Sequence, residues 1–206
     1  MSELEKLLLD GSKQMQIQLT DKQSSDLVSY IELVVKWNKT YNLSAIRDPF
    51  ESVKKHLLDS LSILPFVDDR DILDVGSGAG LPGIVLSIMR PNTIVSVIDS
   101  VAKKCHFMNF VKSQLCLDNL DVINDRVEMY TGNRCYGQIT SRAFADVEKT
   151  IKMTEHLLCI DGHYLLMKGD HFKKEKAEGI SISPHKITVP YVSDERYLLE
   201  ITNQAS

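Results

Sequence analysis

Residues 74–100, "DVGSGAGLPGIVLSIMRPNTIVSVIDS", decide how this chain is read. They place Gly76, Gly78, Gly80 and Gly83 within eight residues, between the apolar run "DILDV" and the apolar stretch "LPGIVLSIM". A second apolar run, "TIVSVID", then ends in Asp99. A strand, a glycine-rich turn, a helix and a second strand closing on an acid make one unit of a parallel sheet. In open sheets of this kind the turn after the first strand lies beyond the strand's carboxyl end, where ligands bind. The literal match to G-x-G-x-x-G through Gly78, Gly80 and Gly83 is weak alone, because tight strand-to-helix turns also need glycine.

The same texture continues downstream. "VAKKCHFMNFVKSQLC" reads as a helix, "LDVIND" and "GQITSRAF" as strands, and "DVEKTIKMTEHLL" as a helix. "GHYLLMKG" is a further strand, and "HKITVP" with "RYLLEIT" a closing pair. Strands alternating with helices predict a Rossmann-like α/β fold with a mostly parallel, seven-stranded sheet covered on both faces. Upstream the pattern is helical. Thr20 and Gln23 have capping-box spacing, followed by a stripe of Leu27, Tyr30, Ile31, Val34 and Tyr41. Asp48-Pro49-Phe50-Glu51 marks a second helix start, and Phe50, Val53, Leu57, Leu61 and Leu64 recur until Pro65. The expected organisation is a helical N-terminal extension, residues 1–66, and a ligand-binding domain, residues 67–206, forming one structural unit.

Composition narrows the function. The 206 residues are 43% hydrophobic and 25% charged, with a net charge of −4, as in an ordinary globular protein with one core. An acidic balance counts against the broad basic surface of indiscriminate nucleic-acid binding, while leaving room for a local basic patch. "MSELEKLLLDGSKQ" carries early acids and no long apolar run, so neither a secretory signal nor a membrane span is expected, and the chain reads as cytoplasmic. Cys105, Cys116, Cys135 and Cys159 form no C-x-x-C pair and are expected to be reduced, mostly buried thiols; the six histidines form no H-E-x-x-H pattern. No metal site is expected.

The residues around the glycines choose between ligands. A dinucleotide brings a pyrophosphate, which needs helix-start amides free of a competing negative charge. Asp74, just before Gly76, puts an acid at the mouth of that loop and suits a cationic ligand. S-adenosyl-L-methionine carries a sulfonium, an ammonium and an adenosine, and no phosphate. Asp99 can accept from ribose hydroxyls for either ligand, so Asp74 and the pattern through Gly76, Gly78 and Gly80 discriminate. They favour S-adenosyl-L-methionine, and hence a class I methyltransferase.

With these residues in view the chain resembles the RsmG family, also called glucose-inhibited division protein B. The likeness runs through "KWNKTYNLSAIRDP", "HLLDSL", "DILDVGSGAGLPGIVLSIMRP", "VIDSVAKKCHF", "DRVE", "TSRAF" and "DERYLLEI", and is weakest from Phe172 to Ser183. The resemblance implies methylation of guanine N7 in 16S ribosomal RNA, in the 530 loop. It implies a cofactor pocket of Gly76, Leu81, Val127, Glu128 and Arg142, with Asp99 on the ribose and Val127 and Glu128 offering backbone groups to the adenine edge.

The chemistry agrees. Guanine N7 has its lone pair in the ring plane, so positioning and electrostatics suffice and no general base is needed. The chain has no Pro-Pro dipeptide for an Asn-Pro-Pro-aromatic loop, and no cysteine that follows a proline. Arg142 is the candidate catalytic residue, able to donate to guanine O6 or to the cofactor carboxylate. Arg126 and Arg196 are candidates for substrate phosphates. Lys36, Lys39, Arg47, Lys54, Lys55 and His56 form one basic group, and Lys168, His171, Lys173, Lys174 and Lys176 another. Trp37, Tyr41 and Phe172 could stack on unpaired bases. His56 and Asp59, at i and i+3, read as a surface or capping pair. The expected partner is 16S RNA within small-subunit particles, met by a monomer. Three other readings stay open: a methyltransferase acting on a small molecule or protein, a nucleotide-binding regulatory module without turnover, and a nicotinamide enzyme.

Overall fold

The computed structural model describes residues 1–175 and 180–202. Two helices open the chain, α1 (Glu3–Gln14) and α2 (Asp21–Tyr41). Thr20 and Gln23 close the capping box that their spacing predicts, and Asn42 ends α2 in the left-handed region at φ 49°. The second start also forms, with Asp48 capping α3 (Pro49–Ser52) through the Glu51 amide. The helix then widens into a π-helical segment, Val53–Leu58, before α4 (Asp59–Leu61).

The sheet follows as β1 (Ile72–Val75), β2 (Val95–Ile98), β3 (Leu120–Ile123), β4 (Tyr136–Arg142), β5 (Leu158–Gly169), β6 (Ser183–Ile187) and β7 (Arg196–Thr202). Its order is β3-β2-β1-β4-β5-β7-β6. The first five strands pair in parallel, and β7 runs antiparallel between β5 and β6. Helices α5 (Gly83–Met89), α6 (Ala102–Leu115) and α7 (Val147–Thr154) make the connections. Order reverses between β1 and β4, so the crevice for a ligand opens beyond their carboxyl ends.

The two-residue period of a strand sorts the core into two layers. Ile72 joins Leu27, Ile31, Leu57, Ile84 and Phe107 on one face, whereas Leu73 and Val75 join Ile139, Val147 and Leu166 on the other. The N-terminal helices therefore cover the same face as α5 and α6. Tyr30, fully buried, donates to the Ala79 carbonyl at 2.8 Å and ties α2 to the glycine loop.

One sequence expectation fails. Cys135 and Cys159 are disulfide-bonded, with Cα atoms 5.0 Å apart, so the reading of four reduced thiols is corrected at this pair. The reason lies in the register: Tyr136 pairs with Leu158, which sets the two cysteines side by side across 24 residues of sequence. Of the other two, Cys105 is buried and Cys116 exposed. Among the described residues no helix is long and apolar enough to cross a membrane, and no cluster of three metal-binding side chains occurs.

Candidate active site

Two cavities open side by side above the β1–β4 switch point. The first, about 360 Å³, is walled by Gly76, Asp99, Lys104, Arg126, Val127 and Glu128 among others. Five of the expected site residues thus meet in one cleft. Gly78 does not line it but donates its amide to Asp99, which does. The φ of Gly78 is +62°, yet a Cβ there would meet nothing nearer than the Gly76 carbonyl at 3.9 Å. The left-handed backbone and open space beyond it leave room for close approach of a ligand. Gly80 packs against Ile84, and Leu81 is 3% exposed with its amide bonded to the Ser77 carbonyl, so both turn inward.

Asp99 is 6% exposed and holds the loop as well as facing the cleft. Its Oδ2 accepts from the Gly78 amide at 3.0 Å and its Oδ1 from the Val101 amide at 2.9 Å. Lys104 Nζ lies 3.3 Å from Oδ2. At the far wall, Arg126 is largely exposed and pairs with Glu128 at 3.6 Å.

Asp74 corrects the sequence reading. It does not stand at the mouth of the loop but is fully buried beneath it, because the strand period points it at α5. Its Oδ2 accepts from the Gly83 amide at 2.9 Å, while no described group bonds Oδ1. Burial pushes its pKa up to about 7, against the pull of the Gly83 amide, Ser77 and Arg142. The case against a pyrophosphate survives on a different footing, since an acid occupies the helix-start amide that a phosphate would need.

The second cavity, about 370 Å³, is lined by His56, Asp59, Arg142, Lys168, Arg196 and Tyr197 among others. Ala143 borders both cavities and takes φ 54°, unusual for a residue with a Cβ. Arg142 belongs to this second wall. Its Nη1 donates to the Lys55 carbonyl at 2.9 Å and to Asp59 Oδ2 at 3.1 Å, and its Nη2 lies 3.3 Å from His56 Nδ1. Arg196 reaches the other oxygen of Asp59 through Nε at 3.3 Å.

His56 and Asp59 are each 5% exposed, which corrects their reading as a surface pair. The π-helical segment carries His56 against Ser44 Oγ at 2.8 Å on one side and Arg142 on the other. Helices of this type are rare and concentrate at functional sites. Burial, and then the Arg142 charge, push the His56 pKa down to about 4, so the ring is neutral. One signal in the sequence does point here: Leu57, Leu58 and Leu61 surround the pair, so this helix is apolar on more than one side.

The expected basic groups are less free than their sequence suggests. Lys54 and Lys55 both pair with Glu51. Lys168 is partly buried against the Ala145 carbonyl and Glu175, Lys173 pairs with Asp170, and Phe172 packs on Tyr197 at 5.0 Å. Lys176 lies outside the described residues. Trp37 stacks on Tyr41 at 5.2 Å and also packs against Phe107 and Phe110.

Solved structures that share this fold include methyltransferases. The ribosomal protein L11 methylase of Lactobacillus delbrueckii subsp. bulgaricus superposes with a TM-score of 0.54 at 16% identity, over 69% of this chain and 75% of that one. Coclaurine N-methyltransferase, bound to N-methylheliamine and SAH, gives 0.51 at 13% identity, over 80% and 56%. These likenesses establish the class I, Rossmann-like fold. Sequence relatives go further. The chain is 54% identical over 196 residues to ribosomal RNA small subunit methyltransferase G of Ruthia magnifica subsp. Calyptogena magnifica, covering 95% of this chain and 96% of that protein. The protein of the same name in Methylobacillus flagellatus is 42% identical over 95% and 97%. Residues 23–194 match the family model GidB, rRNA small subunit methyltransferase G, and the chain belongs to that family.

Proposed function

We propose that this chain transfers a methyl group from S-adenosyl-L-methionine to N7 of a guanine in 16S ribosomal RNA, in the 530 loop. The observation that carries the reading is the junction of the two cavities at Ala143, one edged by a carboxylate and a glycine loop, the other by two guanidiniums. The first cavity fits the methyl donor. Gly78, bonded to Asp99, has open space over its Cα, Asp99 presents a carboxylate for ribose hydroxyls, and buried Asp74 excludes a pyrophosphate from the start of α5. When bound, the donor supplies a methyl carbon activated by a sulfonium charge.

In this reading Gly76, Gly78 and Gly80 shape the loop, with Leu81 anchoring it in the core. Val127 and Glu128 present backbone groups to the adenine edge, and Arg126 meets a phosphate of the RNA at the rim. Arg142 is the catalytic residue. It donates to guanine O6 and turns N7 toward the first cavity, with Arg196 beside it. N7 keeps its lone pair in the ring plane, so no residue has to remove a proton, and the neutral His56 ring is not called on as a base.

The helical segment 1–66 and the sheet domain 67–206 act as one structural unit, a cytoplasmic monomer working on small-subunit particles. The net charge of −4 supports the particle as substrate, because few phosphates can be neutralised and a pre-folded loop supplies the selectivity. Nucleoside mass spectrometry of ribosomal RNA from cells with and without the gene tests the reaction, with 7-methylguanosine in 16S RNA expected only when the gene is present. Initial rates on particles should exceed those on protein-free 16S RNA at moderate salt. Equal rates would show that the enzyme reads local sequence unaided.

A further inference from the structure

We infer that Asp59 is a positioning residue for methyl transfer, clamping Arg142 and Arg196 in the wall of the acceptor cavity so that Arg142 keeps a free donor aimed at guanine O6. The inference rests on the second cavity being the acceptor site, as read above. Asp59 is buried and gives one oxygen to each arginine, at 3.1 Å to Arg142 and 3.3 Å to Arg196. The two arginines come from strands at different places in the sheet, β4 and β7, and Asp59 starts α4. One carboxylate therefore fixes the spacing of two cations that the chain delivers separately.

The donor inventory of Arg142 shows what the clamp leaves over. A guanidinium has five N–H groups. Nη1 spends both of its own on the Lys55 carbonyl and Asp59, while Nη2 lies 3.3 Å from His56 Nδ1, a nitrogen that is also 3.1 Å from the Lys55 carbonyl. Among the described residues, Nε–H has no partner and Nη2 meets only His56. A guanidinium held from its other side can donate to guanine O6 and leave the N7 lone pair free for the methyl group.

Charge gives Asp59 a second task. Methylation at N7 turns a neutral base into a cation, and the Arg142 guanidinium in the same wall would oppose that change if uncompensated, whereas Arg196 also pairs with Asp194 at 3.4 Å. His56 is neutral and offers no counter-charge. Asp59 offsets one of the two positive charges and removes part of that opposition.

Asp59→Asn tests the inference, because it keeps the size and one acceptor oxygen, loses the charge, and turns an NH₂ toward one arginine. Affinity for S-adenosylhomocysteine, read by calorimetry, should change by less than about twofold, since Asp59 does not line the first cleft. The kcat on small-subunit particles should fall at least tenfold. Arg142→Lys should cost a similar factor, and the double variant should be little worse than either single one, because the two residues act as a unit. Full kcat in Asp59→Asn, or losses that multiply in the double variant, overturns the inference. Should Asp59→Asn not fold, Asp59→Glu takes its place, with a kcat loss at unchanged cofactor affinity expected and full activity overturning the idea. If the wild-type protein methylates no ribosomal RNA, the functional reading fails on its own. The ¹⁵N signals of the Arg142 and Arg196 Nε–H groups then decide the clamp, their broadening or loss in Asp59→Asn supporting it and unchanged signals refuting it.

Discussion

The two cavities have nearly the same volume and share a wall, yet they are built in different ways. The first is a product of backbone. Its edge is a loop of glycines, and its charged anchor, Asp99, is itself held by loop amides. The second is a product of side chains. His56, Asp59, Arg142 and Arg196 arrive from three distant parts of the chain, with Asp59 ion-paired to both arginines and the neutral His56 ring against Arg142. A backbone site is fixed by local geometry and tolerates little change in residue type at a few positions. A side-chain site is fixed by mutual contacts and fails as a group.

The largest effect expected from this contrast lies at Gly78. A Cβ there meets nothing nearer than the Gly76 carbonyl at 3.9 Å, but valine must adopt a left-handed backbone at a strain of about 1–3 kcal/mol and fill the space left for a ligand. Cofactor binding should vanish in calorimetry, while circular dichroism and melting show a folded, somewhat less stable protein. Binding at wild-type affinity in the folded variant would show that the loop is a structural turn only.

This contrast also explains what could be read from sequence. The glycines and Asp99 fall within one stretch, 76–99, and carry their own spacing, so the cleft is legible in the sequence. The alternation of strands and helices, the Thr20 box and the Asp48 cap were legible for the same local reason. The second cavity was not. Arg142 and Lys55 are 87 residues apart, and nothing in either stretch announces the other. The likeness of "HLLDSL" to the family and the leucines Leu57, Leu58 and Leu61 around His56 and Asp59 set that helix apart. Asp74 was visible as an acid near the glycines, but its direction depends on which face of β1 is covered by α5. The Cys135–Cys159 pair depends on strand register in the same way.

Asp99→Ala comes next in size. Removing a charged acceptor costs roughly 1.5–3 kcal/mol, or about one to two orders of magnitude in cofactor affinity. The Gly78 and Val101 amides lose their partner at the same time, so the loop should loosen and the loss should sit at the upper end. Calorimetry with S-adenosylhomocysteine measures it. Arg142 and Arg196 stay clamped, so the second cavity should keep its form, and unchanged affinity would move the ribose away from Asp99.

The smallest effect is expected at Ala143, where the two constructions meet. The left-handed conformation places its Cβ close to backbone oxygen at roughly 1–2 kcal/mol, which glycine would relieve. Glycine also raises the freedom of the unfolded chain by about 0.4–1 kcal/mol, which offsets roughly half of that relief. Ala143→Gly should therefore melt within a few degrees of wild type. Cofactor affinity should hold, because the glycine loop and Asp99 are untouched. What changes is the wall itself, which loses a side chain that borders both spaces and a restriction on the backbone between Arg142 and Phe144. Alignment of donor and acceptor depends on that wall, and small displacements at a reacting centre reduce rate more than binding. A drop of a few-fold in kcat, at unchanged cofactor affinity and stability, is the expected outcome in single-turnover assays on small-subunit particles. An unchanged single-turnover rate would mean that the cavities are aligned by the rigid ends of β4 and the Asp59 clamp alone, with the strained residue between them serving only to turn the chain.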